Sequence, residues 1–350
     1  MSHFAHGEQS HNYSIITVLI LFIIVFVSCK QESKESITPT AIPQNIKTIS
    51  GQVFGTYYNI TYDDINVNYE KQFDSLFYII NKSMSTYQIS SDISKLNRNE
   101  SNIVDAHFKT VFEASKLIYE MTNGAFDPTI GAVVNAWDFG PEGKVVDLDS
   151  LKINTLMRSV GFNTVKWYNG KILKENSNTF LDFNAIAKGY ALDVIGGFLE
   201  SKNIKNYLVD IGGELRAKGL NINKELPWKV GVEQPRFDGG QSVIKAISLK
   251  NEAMATSGTY RKFKVDQNGN RYAHIIDTKT GYPSKTNILS VSVIAKNCMI
   301  ADAYATAFQA MGIEMVKSFL ENHSELKVFF IFENENKELE TLSLNGFPES

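Results

Sequence analysis

The sequence predicts an α+β fold in which mostly antiparallel or mixed sheets are flanked by helices. Segments that alternate apolar and polar residues are numerous, which is typical of strands with one buried face. The helical segments do not alternate regularly with these strands, as they would in a doubly wound parallel sheet. The chain has 350 residues, of which 43% are hydrophobic and 21% charged, so it can bury a sizeable core.

The amino-terminal part of the chain is expected to lie outside the folded domain. An apolar run over residues 15–27 has the length of a signal-peptide core and is short for a membrane span. A serine and Cys29 follow it, which resembles a bacterial lipoprotein cleavage site with Cys29 as the lipidated residue. We therefore expect a signal peptide over 1–28, a polar, flexible tether over 29–48, and an exported protein with a lipid anchor on the periplasmic side of a bacterial membrane. The first 14 residues contain no lysine or arginine, so a short anchoring or core helix remains the alternative.

The folded domain is expected over residues 49–350, and its elements follow from periodicity and from turn residues. The predicted helices cover 69–83, 106–122, 147–160, Asn184 to about Lys202, and 298–312. The predicted strands cover 50–61, 179–183, 206–219, 228–233, 242–249, 253–256, 289–295 and 325–332, with interruptions at Gly55-Thr56 and Gly212-Gly213.

The helix that begins near Asn184 carries the first functional signal. Asn184 is expected to be its N-cap, because an asparagine side chain can accept from the unpaired amides of the first turn. Lys188 places a cation near the positive end of the helix dipole, and Gly189 costs about 1 kcal/mol relative to alanine. A phosphate bound at the helix N-terminus explains both residues. The alternative is a solvated lysine beside a glycine needed for packing.

A second signal lies on the helix predicted over 298–312. Asp302, Thr306 and Gln309 share one face of this helix, which is otherwise largely apolar. A buried carboxylate and a buried hydroxyl need polar partners, and Mg²⁺ is a cation that prefers such oxygen ligands. The alternative is a buried aspartate that accepts from backbone amides.

A third signal is His274, which adjoins an acidic residue and a tight turn and could serve as a general base. A structural histidine at a strand end is the alternative.

Other classes of site lack their motifs, since the chain contains neither GxSxG nor GxGxxG nor GxxxxGK[ST]. The net charge of −3 provides no basic surface, so we expect no nucleic-acid partner. Two cysteines, Cys29 and Cys298, cannot build a disulfide framework or a zinc site.

The order of several short motifs is more informative than any one of them. The motifs are GTYY, MSTY, GAFDPT, DFNAIAKGYALD, DIGGEL, ATSGTYR, HIIDTKTGYP and ADAYATA. Over about residues 50–332 the chain resembles the FAD:protein FMN transferase (ApbE) family. The resemblance implies an ApbE-like fold and a bacterial, often lipid-anchored, Mg²⁺-dependent enzyme. Such an enzyme splits FAD at its pyrophosphate, moves FMN onto a threonine or serine hydroxyl of a partner protein, and releases AMP.

The resemblance also implies partners and site residues. The acceptor proteins would be subunits of Rnf-type or sodium-pumping NADH:quinone reductase complexes. The implied metal ligands are Asp302, Thr306 and the backbone carbonyl of Ala185, and the implied catalytic residues are His274, as base, and Asp302. The implied FAD contacts are Phe54, Tyr87, Asn135, Asp182, Lys188 and the backbone of Ile275. Two other activities stay open, namely hydrolysis of FAD to FMN and AMP, and a flavin-binding lipoprotein without catalysis.

Overall fold

A computed structural model describes residues 45–265 and 271–349 of the chain, and the structural statements below refer to them. The helices are α1 Glu70–Met84, α2 Asp92–Asn97, α3 Ala106–Met121, α4 Gly131–Ala136, α5 Ser150–Met157, α6 Ala187–Ser201, α7 Cys298–Met311 and α8 Ile313–Leu320. The strands are β1 Lys47–Val53, β2 Thr56–Tyr62, β3 Val165–Tyr168, β4 Lys171–Lys174, β5 Tyr207–Ile211, β6 Glu214–Lys218, β7 Trp228–Glu233, β8 Val243–Leu249, β9 Ala253–Gly258, β10 Phe263–Val265, β11 Arg271–Ala273, β12 Ile288–Ala295, β13 Lys327–Glu333 and β14 Leu339–Leu344.

The main sheet has eight strands in the order β1-β2-β5-β6-β9-β12-β13-β14, and every neighbouring pair is antiparallel. Three two-stranded ribbons, β3-β4, β7-β8 and β10-β11, lie outside it. The predicted α+β class, with antiparallel sheet and flanking helices, is confirmed. The two interruptions expected at glycines are the turns of the β1-β2 and β5-β6 hairpins.

The sheet separates two hydrophobic clusters. Its central strand β12 is buried along all eight residues, because both of its faces are covered. Val291 and Val293 contribute to the larger cluster, which includes α6 and α7. Ile294 contributes to the smaller cluster, which includes the β7-β8 ribbon. Burial on every side is the reason that α7 is apolar around most of its circumference.

Two sequence-based predictions near α6 are wrong. Residues 179–183 do not form a strand, because the Leu181 amide donates to Oδ1 of Asn97 at 2.8 Å and the Asp182 amide donates to the carbonyl of Pro128 at 2.8 Å. Asn184 does not cap a helix, because α6 begins only at Ala187. Its own amide donates to Oδ1 of Asp182 at 2.7 Å, which forms a turn before the helix.

Only the end of the predicted tether falls within the described residues. Strand β1 begins at Lys47, so the last two residues of the tether predicted over 29–48 are already part of the sheet. The signal peptide and Cys29 lie outside the described residues. Within the described part of the chain, no helix combines the length and the apolar character needed to cross a membrane.

Candidate active site

A cavity of about 1350 Å³ lies beside the N-terminus of α6 and one face of α7. Residues from distant parts of the sequence line it, including the β1-β2 turn, the β5-β6 turn and the β7-β8 ribbon. The cavity brings together most of the site residues inferred from the sequence, namely Phe54, Tyr87, Asp182, Ala185, Lys188, His274, Ile275, Asp302 and Thr306. Asn135 is not part of the lining, although its neighbour Val134 is.

The face of α7 that points into the cavity carries Asp302 and Thr306. Asp302 is only 6% exposed, and its Oδ2 accepts from the Gly189 amide at 2.9 Å. Burial raises the pKa of this carboxyl, while Lys188 and the Gly189 amide oppose the rise. Gln309, the third polar residue of the predicted face, instead donates to the carbonyl of Ile288 at 2.8 Å. Asp302 therefore both accepts from a backbone amide and lines the cavity. The two alternatives considered for this residue do not exclude each other.

The start of α6 contributes a backbone oxygen to the same cavity. In an uninterrupted helix the Gly189 amide would donate to the carbonyl of Ala185. Here that amide is bonded to Asp302, and among the described residues no other backbone amide donates to this carbonyl. Ala185 lines the cavity, so its carbonyl is available to a ligand there.

Glu214 is the most informative residue that the sequence reasoning missed. The β5-β6 turn at Gly212-Gly213, where both residues have positive φ, places Glu214 at the first position of β6. Its Oε1 accepts from Nζ of Lys188 at 2.6 Å, and its Oε2 is buried with no hydrogen-bond partner among the described residues. Burial raises the pKa of Glu214 to about 7, although Lys188 counteracts the rise. The DIGGEL motif contained the signal, since a tight glycine turn followed by an acid places the acid at a strand end.

His274 is oriented by the protein backbone. Its Nδ1 lies 3.1 Å from the carbonyl oxygen of Lys262, which can only accept, so the proton is on Nδ1 and Nε2 has the free lone pair. Burial lowers the pKa of His274 to about 4. The imidazole is therefore neutral at physiological pH, which is the state that a general base needs.

The remaining predicted flavin contacts differ in how they are held. Phe54 has a φ of 50° at the β1-β2 turn, and its ring packs edge-on against Phe77 with 5.6 Å between the ring centroids. The Ile275 carbonyl accepts from the Ser284 amide at 2.8 Å. Tyr87 is 60% exposed at the cavity, where it can contact a planar ligand. Asn135 is buried behind the lining, and no described residue bonds its Nδ2.

Beside the start of α6 and the facing side of α7, the cavity offers a cation a set of oxygen donors. In the described part of the chain, no cluster of three or more His, Cys, Asp or Glu side chains could hold a metal ion. Asp302, Thr306 and the Ala185 carbonyl supply a carboxylate, a hydroxyl and a backbone oxygen. A few oxygen ligands that leave room for water and phosphate suit Mg²⁺. The residues present therefore fit the cation that the family resemblance implies.

Known proteins resemble this chain in sequence. A sequence profile described as the ApbE family matches residues 54–330, which is well over half of the chain. The chain belongs to the ApbE family. This ApbE chain is 37% identical over 276 residues to the FAD:protein FMN transferase of Vibrio cholerae, with 76% of this chain and 81% of the relative aligned. It is 32% identical over 344 residues to the Haemophilus influenzae protein of the same name, with 91% and 92% aligned.

Solved structures of ApbE proteins share the fold. The flavin transferase ApbE from Vibrio cholerae superposes with a TM-score of 0.76 at 32% identity, covering 86% of this chain and 97% of that one. The Pseudomonas stutzeri flavinyl transferase ApbE superposes with a TM-score of 0.75 at 27% identity, covering 85% and 94%. These relatives are transferases by name, and this ApbE chain is an enzyme of the same transferase class.

Proposed function

We propose that this protein transfers FMN from FAD onto a threonine or serine hydroxyl of a partner protein and releases AMP. One observation carries the proposal. A cavity large enough for a dinucleotide contains the buried carboxylate of Asp302, the hydroxyl of Thr306 and the cation Lys188. The names of the ApbE relatives, FAD:protein FMN transferase, support the same substrate.

The reaction exchanges one phosphorus–oxygen bond for another. The acceptor hydroxyl oxygen attacks the phosphorus of the FMN half, the pyrophosphate bond breaks, and AMP leaves with the bridging oxygen. His274 accepts the hydroxyl proton at Nε2, because its Nδ1 proton is held by the Lys262 carbonyl. Lys188 attracts the diphosphate to the part of the cavity beside the start of α6, because its side chain is a cation that lines the cavity there.

Asp302, Thr306 and the carbonyl of Ala185 would hold a Mg²⁺ ion. When bound, this ion neutralises charge on the phosphoryl oxygens and on the AMP leaving group. Phosphoryl transfer depends mainly on positioning and on electrostatic stabilisation, and these residues supply both. Phe54, Tyr87, Asp182, Ile275 and the segment around Asn135 would contact FAD.

The cellular setting belongs to the same proposal. We expect the chain to be exported, lipidated at Cys29 and anchored to a bacterial membrane on its periplasmic side. The expected acceptors are flavinylated subunits of Rnf-type or sodium-pumping NADH:quinone reductase complexes. A lipid anchor would keep the cavity close to acceptor domains on the same membrane.

The test is incubation of the protein with FAD, Mg²⁺ and an acceptor domain, followed by AMP release and covalent flavin fluorescence on a denaturing gel. The expected result is AMP and labelled acceptor in equal amounts, and AMP without labelled acceptor would instead identify an FAD pyrophosphatase.

Asp302→Asn keeps the shape of the side chain but removes its charge, so the rate of FMN transfer should fall by at least about a hundredfold. Thr306→Val should also lose activity, while the matched Thr306→Ser, which keeps the hydroxyl, should retain most of it. Mg²⁺-dependent turnover at the wild-type rate by Asp302→Asn would exclude the assigned metal ligand.

A further inference from the structure

Helices α6 and α7 touch through their backbones at Gly189. A Cβ atom at this position would lie 2.3 Å from the carbonyl oxygen of Cys298 and 2.8 Å from Cβ of Asp302. No side chain can therefore separate the two helices here. The candidate metal ligands come from both sides of this crossing, since Ala185 lies two positions before the first residue of α6 while Asp302 and Thr306 belong to α7.

Two aspartates, one on each helix, accept hydrogen bonds from backbone amides of the other helix. Asp302 of α7 accepts from the Gly189 amide in the first turn of α6 at 2.9 Å. Asp193 of α6 accepts from the Cys298 amide at 2.9 Å and from the Met299 amide at 2.8 Å, both in the first turn of α7. First-turn amides have no acceptor within their own helix, so each carboxylate caps the other helix.

The carboxylate of Asp193 is itself held from the sheet. Nη1 of Arg216, on β6, lies 2.5 Å from Oδ1 of Asp193. The same guanidinium donates through Nη2 to Glu200 at 3.1 Å and through Nε to the Tyr207 hydroxyl at 3.1 Å. Asp193 is therefore bonded to α7 through both oxygens and to β6 through one of them.

We propose that Asp193 is a positioning residue for the metal site, a role that rests on the proposed function. Gly189 and Asp193 are one turn apart on α6, and Cys298 and Asp302 are one turn apart on α7. Contacts at both turns set how far α7 slides along α6 and how it rotates. This places the Asp302 carboxylate and the Thr306 hydroxyl relative to the Ala185 carbonyl. Asp193 itself touches neither cation nor substrate.

The test is calorimetric titration of the protein with MgCl₂ alone. Asp193→Asn keeps the side-chain shape but turns one acceptor into a donor that faces a backbone amide, so the Kd for Mg²⁺ should rise at least tenfold. FAD binding measured with EDTA should change less than twofold, because Asp193 hydrogen-bonds to none of the residues proposed to contact FAD. Glu200→Gln is the matched control, since it removes a carboxylate from the same Arg216 and leaves the α7 amides untouched. It should lower the melting temperature and leave the Mg²⁺ Kd within twofold of wild type.

The positioning role of Asp193 is wrong if Asp193→Asn binds Mg²⁺ with a Kd within twofold of wild type. It is also wrong if Glu200→Gln loses as much Mg²⁺ affinity as Asp193→Asn. If Asp193→Asn does not fold, Asp193→Glu keeps the charge for Arg216 but moves the carboxylate by one methylene. Asp193→Glu should show the same loss of Mg²⁺ affinity. A folded Asp193→Glu variant that binds Mg²⁺ as wild type does would also contradict the positioning role. Wild-type protein that binds no Mg²⁺ would instead remove the metal assignment under the proposed function, and this role with it.

Discussion

Lys188 shows how one side chain can serve both folding and ligand binding. A cation near a helix N-terminus is unfavourable by the helix dipole alone, but the local sequence pattern does not reveal Glu214. In the structure Lys188 is the ion-pair partner of this almost fully buried carboxylate and also lies near Asp302. The lysine therefore offsets buried negative charge in the empty protein as well as attracting an anionic ligand.

Lys188→Ala should consequently destabilise the protein in the absence of FAD. The loss should be about 1–3 kcal/mol, because Glu214 remains buried without its partner but can bind a proton. Burial already raises the pKa of Glu214 to about 7 from 4.5, and removing the lysine raises it further. A raised folded pKa gives stability that is lost as pH rises through it, so the deficit of the variant should grow between pH 6 and pH 9.

Thermal melts of wild type, Lys188→Ala and Lys188→Ala/Glu214→Gln across this pH range check the prediction. The double variant removes the buried charge and should lose the pH dependence of the deficit. Equal stability of wild type and Lys188→Ala at all pH values would contradict the role of the ion pair.

His274 should titrate well below the range of an ordinary histidine. Burial lowers its pKa to about 4 from 6.5, so in the folded protein it stays neutral throughout the physiological range. The unfolded chain binds the proton first as pH falls, so this histidine makes the protein less stable between pH 6.5 and pH 4. NMR titration of the imidazole, with His274→Gln to assign the resonance, should give a value well below 5. A midpoint near 6.5 would show that the ring is not desolvated.

At the scale of elements, the periodic segments were predicted well and the segments bonded by distant residues were not. The helices over 298–312 and 106–122 and the strand over 228–233 match α7, α3 and β7 closely. In these elements the buried residues recur with the helical or the strand period, and this pattern is visible in the sequence of the segment itself. The wrongly predicted strand at 179–183 is bonded to Asn97 and Pro128, which lie more than fifty residues away. Short elements such as α2, α4 and the β3-β4 ribbon lack the length for a periodic signal.

The α6–α7 crossing should not tolerate a side chain at Gly189. Gly189→Ala gains up to about 1 kcal/mol of helix propensity but pushes a methyl group into the Cys298 carbonyl. Because both contacts are with backbone or with Asp302, the helices must separate, and we expect a net destabilisation of about 1–3 kcal/mol and loss of transfer.

Gly197→Ala is the matched control on the same helix, since a Cβ atom there would have no atom from another part of the described structure within 4 Å. It should be neutral or slightly stabilising with transfer intact. Denaturant unfolding and AMP release measured on both variants test the pair, and equal behaviour of the two variants would exclude a special role of the crossing.

At the scale of the whole molecule, the sheet gathers a site from residues spread over most of the domain. Phe54 and Thr306 are about 250 positions apart in the chain, yet both line one cavity. The predicted lipid anchor would keep this cavity near a membrane, because only roughly twenty positions of the sequence separate Cys29 from β1.

The anchor can be tested on the whole chain. Palmitate supplied to cells should label the protein at Cys29, and Cys29→Ser should abolish labelling and release the protein from the membrane fraction. Cys298→Ala is the control and should keep its label, because Cys298 is the only other cysteine and is fully buried. Cys29→Ser that is still processed and still sediments with membranes would contradict the lipoprotein assignment.

The sequence by itself determined the fold class, the long helices and strands, and the chemical types at the site. Amphipathic period, glycine turns and the i, i+4 spacing of Asp302 and Thr306 are local properties that a chain displays before it folds. Only the tertiary structure decided that Glu214 pairs with Lys188, that Asn135 lies behind the cavity lining, and that Asp193 caps α7. These contacts join residues far apart in sequence and depend on the angle and distance at which elements pack, which no single segment encodes.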